Sequence, residues 1–362
     1  MMRTIEHDEL ELLATGAWIL GAGGGGNPYL ACLNLRTLYD SGTRVSLMDP
    51  MALADDDAVA LVSSMGAPLV GRERLSDPRF SAKPLIAMQK YLKCEFRAVM
   101  SGEIGGTNAL QPLMVAAVTG LPVVDADTMG RAFPESQMTS FAIDELPMLP
   151  LVLADIRDTE VIIPRAESAK WMERIARKAL TEMGSVAAAC KAPRTGREVK
   201  NHAILNSTTK AIGIGRTVHD ARRRHEDPIA ALVEAEKGVV LFKGKVQDVS
   251  RRATEGFLRG LVRIEGLDGD RGSSLELAFQ NEFAAAWRDG EVLVTTPEII
   301  CVMDSVSGEA IGTEMIRYGQ RVSVVVLPVP DFFLTPKALA VTGPRAVGYD
   351  FDFRTVLAGR GQ

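Results

Sequence analysis

The stretch LPVVDADTMGRAFPESQ places three carboxylates and an arginine at the end of an apolar, strand-like run. Asp125 and Asp127 alternate along this run, so we expect both side chains to point to the same side of a sheet. Arg131 and Glu135 follow a few residues later. Carboxylates in this arrangement can hold a divalent metal, act as a general base, or pair with the arginine only to fix the loop. The metal therefore stays open, with Asp125 and Asp127 as its candidate ligands.

A further carboxylate, Glu103, lies in SGEIGGTNALQP, where a second predicted strand ends and a helix begins. Open parallel sheets bind ligands at this end of their strands. Glu103 is therefore a candidate catalytic partner of the aspartates. The alternative is a buried turn in which Glu103 only caps backbone amides.

A glycine-rich loop, GAWILGAGGGGNPYLA, fits the dinucleotide-binding pattern through Gly21, Gly23 and Gly26. That pattern requires a strand before the loop and a helix after it. The preceding residues, DELELLATGAWIL, predict a helix instead, which makes a nucleotide cofactor unlikely and leaves an NAD(P)-dependent oxidoreductase only as an alternative. A helix that begins after Asn27 would present free N–H groups to a polar ligand. We expect the loop to border a small-molecule pocket through Gly23, Gly24, Gly25, Gly26 and Asn27.

Composition excludes several classes of protein. The net charge of −5 gives none of the basic excess that a nucleic-acid binder needs. No apolar run reaches about 18 residues, and the acidic N-terminus is unlike a signal peptide, so we predict a cytoplasmic protein without membrane association. The four cysteines lie far apart, which disfavours a thiolate zinc site and a disulfide framework.

The order of the predicted elements indicates two domains. Strands and helices alternate over residues 1–165, which predicts an α/β domain with a largely parallel sheet. Residues 166–362 begin with a helical connecting segment, in which SVAAACKAP is predicted as a turn or helix. Short alternating runs follow from Val239 onward and predict a β-rich, sandwich-like domain. Its segments FQNEF and GPRAVGYD place Asn281, Glu282 and Arg345 near strand ends, where residue type alone favours structural roles.

Six segments together resemble a known family in the same order and over nearly the whole chain. They are GAWILGAGGGGNPYLA, SGEIGGTNALQPLMVAA, LPVVDADTMGRAFPESQM, GKVQDVSRRATEGFLRG, FQNEF and GPRAVGYD. The chain thus resembles the S-methyl thiohydantoin desulfurases, whose members often accompany hydantoinase and oxoprolinase proteins. The resemblance implies an N-terminal α/β domain and a C-terminal β-containing domain. It also implies a hydrolase that converts an S-methyl thiohydantoin to a hydantoin and releases methanethiol.

This reaction needs a base that takes a proton from water and a donor for the ring nitrogens. We predict that Asp125 and Asp127 activate the water, directly or through a metal, with Glu103 as partner. Arg131 or Arg345 would bind an acidic arm of the substrate. Further predicted substrate contacts are the glycine loop, Glu135, Asn281 and Glu282.

Other functions remain open at this point. One alternative is a hydantoinase-like or oxoprolinase-like enzyme that opens a cyclic amide ring, or an accessory subunit of such an enzyme. Another is a module that binds a small cyclic amide without turnover. Self-association into a homo-oligomer and association with a hydantoinase or oxoprolinase are open as well.

Overall fold

The computed structural model describes residues 1–66, 77–254 and 257–359 of the chain. Helices in these ranges are α1 (Glu9–Leu20), α2 (Tyr29–Asp40), α3 (Pro78–Leu92), α4 (Gln111–Thr119), α5 (Ser140–Ile143), α6 (Ala169–Glu182), α7 (Gly196–His202), α8 (Ser207–Arg223), α9 (Pro228–Glu236) and α10 (Pro336–Thr342). Strands of the N-terminal half are β1 (Met2–Thr4), β2 (Ser46–Met48), β3 (Ala58–Gly66), β4 (Ala98–Ser101), β5 (Val123–Val124), β6 (Ala126–Asp127), β7 (Leu151–Ala154), β8 (Glu160–Ile163), β9 (Val186–Thr195) and β10 (Ile204–Leu205). Those of the C-terminal half are β11 (Val239–Thr254), β12 (Phe257–Gly266), β13 (Ser274–Gln280), β14 (Glu282–Arg288), β15 (Glu291–Thr295), β16 (Ile299–Asp304) and β17 (Arg321–Leu327).

The first sheet has, within the described residues, the strand order β1-β2-β5-β4-β3-β9-β7-β8. Strands β2, β5, β4 and β3 are parallel neighbours, which confirms the predicted parallel core. Antiparallel strands extend this core on both sides. The carboxyl ends of β3 and β4 therefore open at the same edge of the sheet, where the functional residues described below lie.

Strand β9 corrects one sequence-based prediction. Its residues, SVAAACKAP and those that follow, were expected to form a turn or helix, but they pair with β3 on one side and β7 on the other. Alanine-rich sequence has weak strand propensity, and pairing with a neighbour on each side determines the conformation here. A segment beyond residue 165 thus completes the first sheet, and the domain boundary at that residue stays a prediction.

The C-terminal strands form one antiparallel sheet in the order β15-β14-β13-β12-β11-β17-β16. This confirms the predicted β-rich half. The sandwich-like interior arises because a single sheet curls, so that β14 and β16 approach each other without being neighbours. Apolar side chains from all these strands fill its concave face, and large ones among them are Phe242, Phe279 and Phe283.

Close packing of α1 on α8 positions the glycine-rich loop. The two helices touch through Gly16 and Gly215, where a side chain would overlap the carbonyls of Ala211 and Leu12 respectively. Helix α1 is buried along most of its length and ends at the loop. The packing of α1 on α8 therefore fixes the position of the loop over the carboxyl edge of the first sheet.

Candidate functional site

The glycine-rich loop follows helix α1 and not a strand, as its sequence predicted. This fold lacks the strand that the dinucleotide pattern requires before the loop. The glycines instead allow three protein segments to meet. A Cβ on Gly23 would lie 2.6 Å from the Phe283 ring, and one on Gly25 would lie 2.6 Å from the Gly105 carbonyl. Both glycines have positive φ, of 87° and 73°, which a residue with a side chain adopts only with strain.

Asn27 at the end of the loop begins helix α2. Its Oδ1 accepts a hydrogen bond from the Tyr29 backbone N–H at 2.9 Å. The Thr107 hydroxyl donates to the Asn27 carbonyl at 3.1 Å, and the Thr107 N–H donates to the carbonyls of Gly25 and Gly26. The loop is therefore tied to the turn that follows strand β4.

A cavity of about 250 Å3 lies beneath this loop. The carboxyl ends of β3 and β4, the loop after β6, helix α6, strand β9 and the start of β14 form its walls. Among the residues predicted from sequence, the cavity is lined by Gly25, Gly26, Asn27, Glu103, Glu135, Asn281 and Glu282. Segments that are far apart in the chain thus meet at one small chamber.

Glu103 lies in the cavity wall directly after β4. Its Oε1 accepts a hydrogen bond from Asn108 Nδ2 at 2.5 Å, whereas its buried Oε2 makes no hydrogen bond within the described residues. Burial raises the pKa of the Glu103 carboxyl to about 7, although Asn108 and the nearby Lys191 ammonium favour the ionised form. Glu103 is therefore poised to accept or release a proton near neutral pH.

Glu282 is a second buried carboxyl of the same cavity, at the start of β14. Burial raises its pKa to about 8, and the charge of Glu103 adds to this effect, while Arg131 and Arg177 oppose it. Its Oε2 is buried without a hydrogen-bond partner in the described part of the chain. Gly24 packs directly on this carboxyl, since a Cβ there would overlap the Glu282 Oε1 and lie 2.5 Å from its Cδ.

Asn281, which precedes Glu282, has a left-handed backbone with φ of 59°. Its Oδ1 accepts from the Leu258 N–H at 2.9 Å, and its N–H donates to the Leu258 carbonyl. This pairing fixes the turn between β13 and β14, and thereby the direction in which Glu282 enters the cavity.

A hydrogen-bond network on the α6 side of the cavity escaped the sequence analysis. The Ser136 hydroxyl donates to Glu173 Oε2 at 2.6 Å and accepts from Lys191 Nζ at 3.2 Å. Glu173 Oε1 forms an ion pair with Arg177 at 2.8 Å. The spacing of Glu173 and Arg177 on one helix could have indicated their pairing. Nothing in the sequence indicated that Lys191 would be buried beside them.

The structure separates the two aspartates that the sequence places together. Asp125 Oδ1 and Oδ2 accept hydrogen bonds from the backbone N–H and the hydroxyl of Thr209, at the start of α8. Asp127 Oδ2 accepts from the backbone N–H groups of Ile104, Met129 and Gly130 at 2.8–3.0 Å. Burial raises the pKa of Asp127 to about 6. Neither residue lines the cavity, because each is used to fix a neighbouring loop or helix.

These contacts do not fit the metal site that was considered for Asp125 and Asp127. Asp127 Oδ2 already accepts three N–H donors, and Asp125 accepts an N–H and a hydroxyl through its two oxygens, so both carboxylates lie in positively polarised surroundings that disfavour a cation. Over residues 1–66, 77–254 and 257–359, no group of three or more His, Cys, Asp or Glu side chains is arranged to hold a metal ion.

The two arginines predicted to bind an acidic arm lie elsewhere. Arg131 is buried and donates through Nη1 to the carbonyls of Pro297 and Glu298 at 2.7 and 2.6 Å. These hydrogen bonds link the loop after β6 to the second sheet. Desolvation lowers the pKa of its guanidinium to about 10. Arg345 lies at the surface and pairs with Asp350 and Asp352. The cavity is lined instead by Arg177 and Lys191.

Comparison with protein-family models identifies the chain. The S-Me-THD-like N-terminal domain matches residues 8–165, and the S-Me-THD-like C-terminal domain matches residues 167–356. The chain belongs to the S-Me-THD-like family. Membership in the S-Me-THD-like family supports a thiohydantoin-related function and is associated with an enzymatic activity.

A crystal structure of a protein from Chromobacterium violaceum has the same fold as this S-Me-THD-like chain. The two share 22% sequence identity and superpose with a TM-score of 0.80, over 97% of this chain and 99% of that one. A comparison with the curated proteins found no match. Across the described residues, no helix has both the length and the apolar character needed to span a bilayer.

Proposed function

We propose that this protein hydrolyses an S-methyl thiohydantoin to the hydantoin and methanethiol, in the cavity that Glu103 and Glu282 share. One observation carries the proposal. Two buried carboxyl groups of raised pKa face one small chamber, each with an oxygen that has no hydrogen-bond partner among the described residues. Buried polar atoms are normally paired, so such oxygens mark a place where a ligand completes the hydrogen bonds.

Size and lining of the cavity support a small ring as substrate. Its volume of about 250 Å3 is below the roughly 300–1,000 Å3 of sites for drug-sized ligands. Apolar walls come from Leu30, Met114, Met129 and Phe133. The Ser63 hydroxyl, on β3, also lines the cavity and is buried without a hydrogen-bond partner within the described ranges. A flat heterocycle with a methylthio group matches this mixture of apolar surface and a few polar atoms.

Glu103 acts as the general base in this proposal. The ring carbon between the two nitrogens carries the methylthio group and is attacked by water. As the new C–O bond forms, the water passes a proton to the Glu103 carboxylate, whose pKa of about 7 is close to neutral pH. General base catalysis by a positioned carboxylate contributes roughly 10²–10⁴ in rate.

Glu282 supplies the complementary proton. Because its pKa is about 8, this carboxyl is protonated at neutral pH and can donate to a ring nitrogen as negative charge develops there. The surroundings of the two carboxyls give them different roles, since the charge of Glu103 is one cause of the raised pKa of Glu282. The tetrahedral adduct then expels methanethiol.

The test is turnover by the purified protein. An S-methyl thiohydantoin is incubated with it while a thiol reagent measures methanethiol and mass spectrometry measures the ring product. We expect equal amounts of methanethiol and intact hydantoin. An acyclic ureido product without methanethiol would favour ring opening and contradict the proposal, and saturable binding without product would favour the binding module.

A further inference from the structure

The buried lysine Lys191 lines the cavity in addition to the two carboxyls that the proposed mechanism uses. Only 6% of the residue is exposed, and its Nζ donates a hydrogen bond to Ser136 Oγ at 3.2 Å. Among the described residues, no carboxylate lies within ion-pair distance of its Nζ. An ammonium group has three N–H donors, so Lys191 retains donors for a group inside the cavity.

The network around Lys191 holds the ammonium in place. Its acceptor, Ser136 Oγ, is fixed because the hydroxyl donates to Glu173 Oε2 at 2.6 Å. Glu173 is in turn fixed by its ion pair with Arg177. Ser136 and Glu173 therefore act as positioning residues, and strand β9 supplies a rigid support.

Lys191 lines the same cavity as Glu103 and Glu282. The charges that act on Lys191 are those of Glu173, Glu103 and Arg177. Glu103 acts on Glu282 as well. Glu103 thus lies in one cavity with two groups that can donate a proton, Glu282 and Lys191. When a ring nitrogen of the substrate accepts a proton from one of these donors, the other donor remains to protonate the methylthio sulfur.

We propose that Lys191 is the general acid that protonates the departing methanethiol sulfur, an inference that rests on the proposed function. An alkanethiolate released into a buried cavity carries a charge that desolvation strongly disfavours, so protonation must accompany departure. Burial also lowers the pKa of the Lys191 ammonium, which makes it a better acid than an exposed lysine.

The proton and electron balance closes without a further reactant. Water attack transfers one proton to Glu103 and the Glu282 proton to a ring nitrogen. The C–S bond then breaks, its electron pair moves to sulfur, and Lys191 supplies the proton that completes methanethiol. The hydroxyl proton of the adduct returns to Glu282 as the carbonyl forms. Glu103 finally passes its proton to neutral Lys191, which restores both residues.

The test compares two leaving groups in Lys191→Met. One substrate carries S-methyl, and the other carries S-(2,2,2-trifluoroethyl), whose thiolate is a much weaker base and needs less protonation. We expect kcat for the S-methyl substrate to fall by roughly 10²–10⁴ in the variant. For the trifluoroethyl substrate we expect a loss of less than about tenfold. Lys170→Met, an exposed lysine of α6, is the matched control and is expected to act like wild type on both substrates.

A second measurement uses the S-methyl substrate alone. In Lys191→Ala, added methylammonium should restore part of the lost kcat, because it replaces the missing acid in the space left by the side chain. Equal losses for both leaving groups, without rescue by methylammonium, would overturn the inference and assign Lys191 to substrate binding or structure. Unchanged kcat in the variants would overturn it as well. Failure of wild type to release either thiol would instead overturn the proposed function.

Discussion

Glu103→Gln is expected to stabilise the folded protein at alkaline pH while it removes activity. The pKa of the Glu103 carboxyl rises from 4.5 to about 7 because it is buried. The folded protein therefore binds more protons than the unfolded chain between these two values. The contribution of the Glu103 carboxyl to the free energy of unfolding is complete below about pH 4.5 and is lost as the pH rises through about 7. Glutamine has no proton to lose, so the variant avoids this loss.

The magnitude follows from the pKa values. A rise of about 2.5 in pKa corresponds to about 3 kcal/mol. This is an upper value, because Glu103 keeps some contact with the water that enters the cavity. Glutamine also preserves the hydrogen bond from Asn108 to Oε1, so little other change is expected.

Urea unfolding of both proteins near the two ends of this pH range gives the measurement. Close to pH 4.5 the free energies of unfolding should be similar, and near pH 8.5 the variant should be more stable by up to about 3 kcal/mol. The acidic end of the pH range is the internal control, because the Glu103 carboxyl of the folded protein is protonated there and is as neutral as glutamine. A difference that is independent of pH would refute the reasoning, and so would a variant that is less stable at alkaline pH, since Lys191 would then be stabilising an ionised Glu103.

Further predictions concern the neighbouring residues. Glu282→Gln removes the proton donor and should lower kcat/KM for the S-methyl substrate by about 10²-fold or more, measured by methanethiol release. Gly24→Ala should displace the Glu282 carboxyl and lower activity at least tenfold, which corresponds to a loss of about 1.4 kcal/mol of transition-state stabilisation. Gly213→Ala, whose added methyl group enters open space on α8, should keep activity and stabilise the folded protein by about 1 kcal/mol. Asp127→Ala leaves three buried N–H groups unpaired and should destabilise by several kcal/mol in urea unfolding. Arg345→Ala removes two surface ion pairs, with Asp350 and Asp352, and should leave kcat/KM within about twofold and the urea unfolding curve nearly unchanged.

Much of the fold could be predicted because local patterns and tertiary structure agree. The apolar spacing of DELELLATGAWIL predicted helix α1 before the glycine loop, and alternation of strands with helices predicted the parallel core. Strand β9 was missed because its conformation depends on pairing with neighbours that the sequence does not reveal. Its misassignment also concealed Lys191.

The site was predictable in its segments but only partly in its chemistry. Glu103 follows strand β4 directly, as its segment indicated, but Asp125 and Asp127 lie outside the cavity because their hydrogen bonds hold neighbouring segments. Asp127 Oδ2 accepts three backbone N–H donors outside the cavity, whereas Glu103 lines the cavity. Each of the two carboxyls retains one buried oxygen without a hydrogen-bond partner among the described residues, but only that of Glu103 belongs to a residue of the cavity wall. Glu282 appeared structural because its contact with Gly24 joins residues about 260 positions apart, a contact that arises only from folding.

The central claim, that Glu103 activates water in the cavity, is tested most directly by the pH dependence of kcat/KM for methanethiol release. For wild type we predict a tenfold rise per pH unit below about pH 7 and a fall above about pH 8, because Glu103 must be ionised and Glu282 protonated in the free enzyme. For Glu103→Gln we predict a folded protein with kcat/KM at least about 10² lower and without this rise. A variant that keeps the wild-type rise and rate would contradict the account and place the base elsewhere.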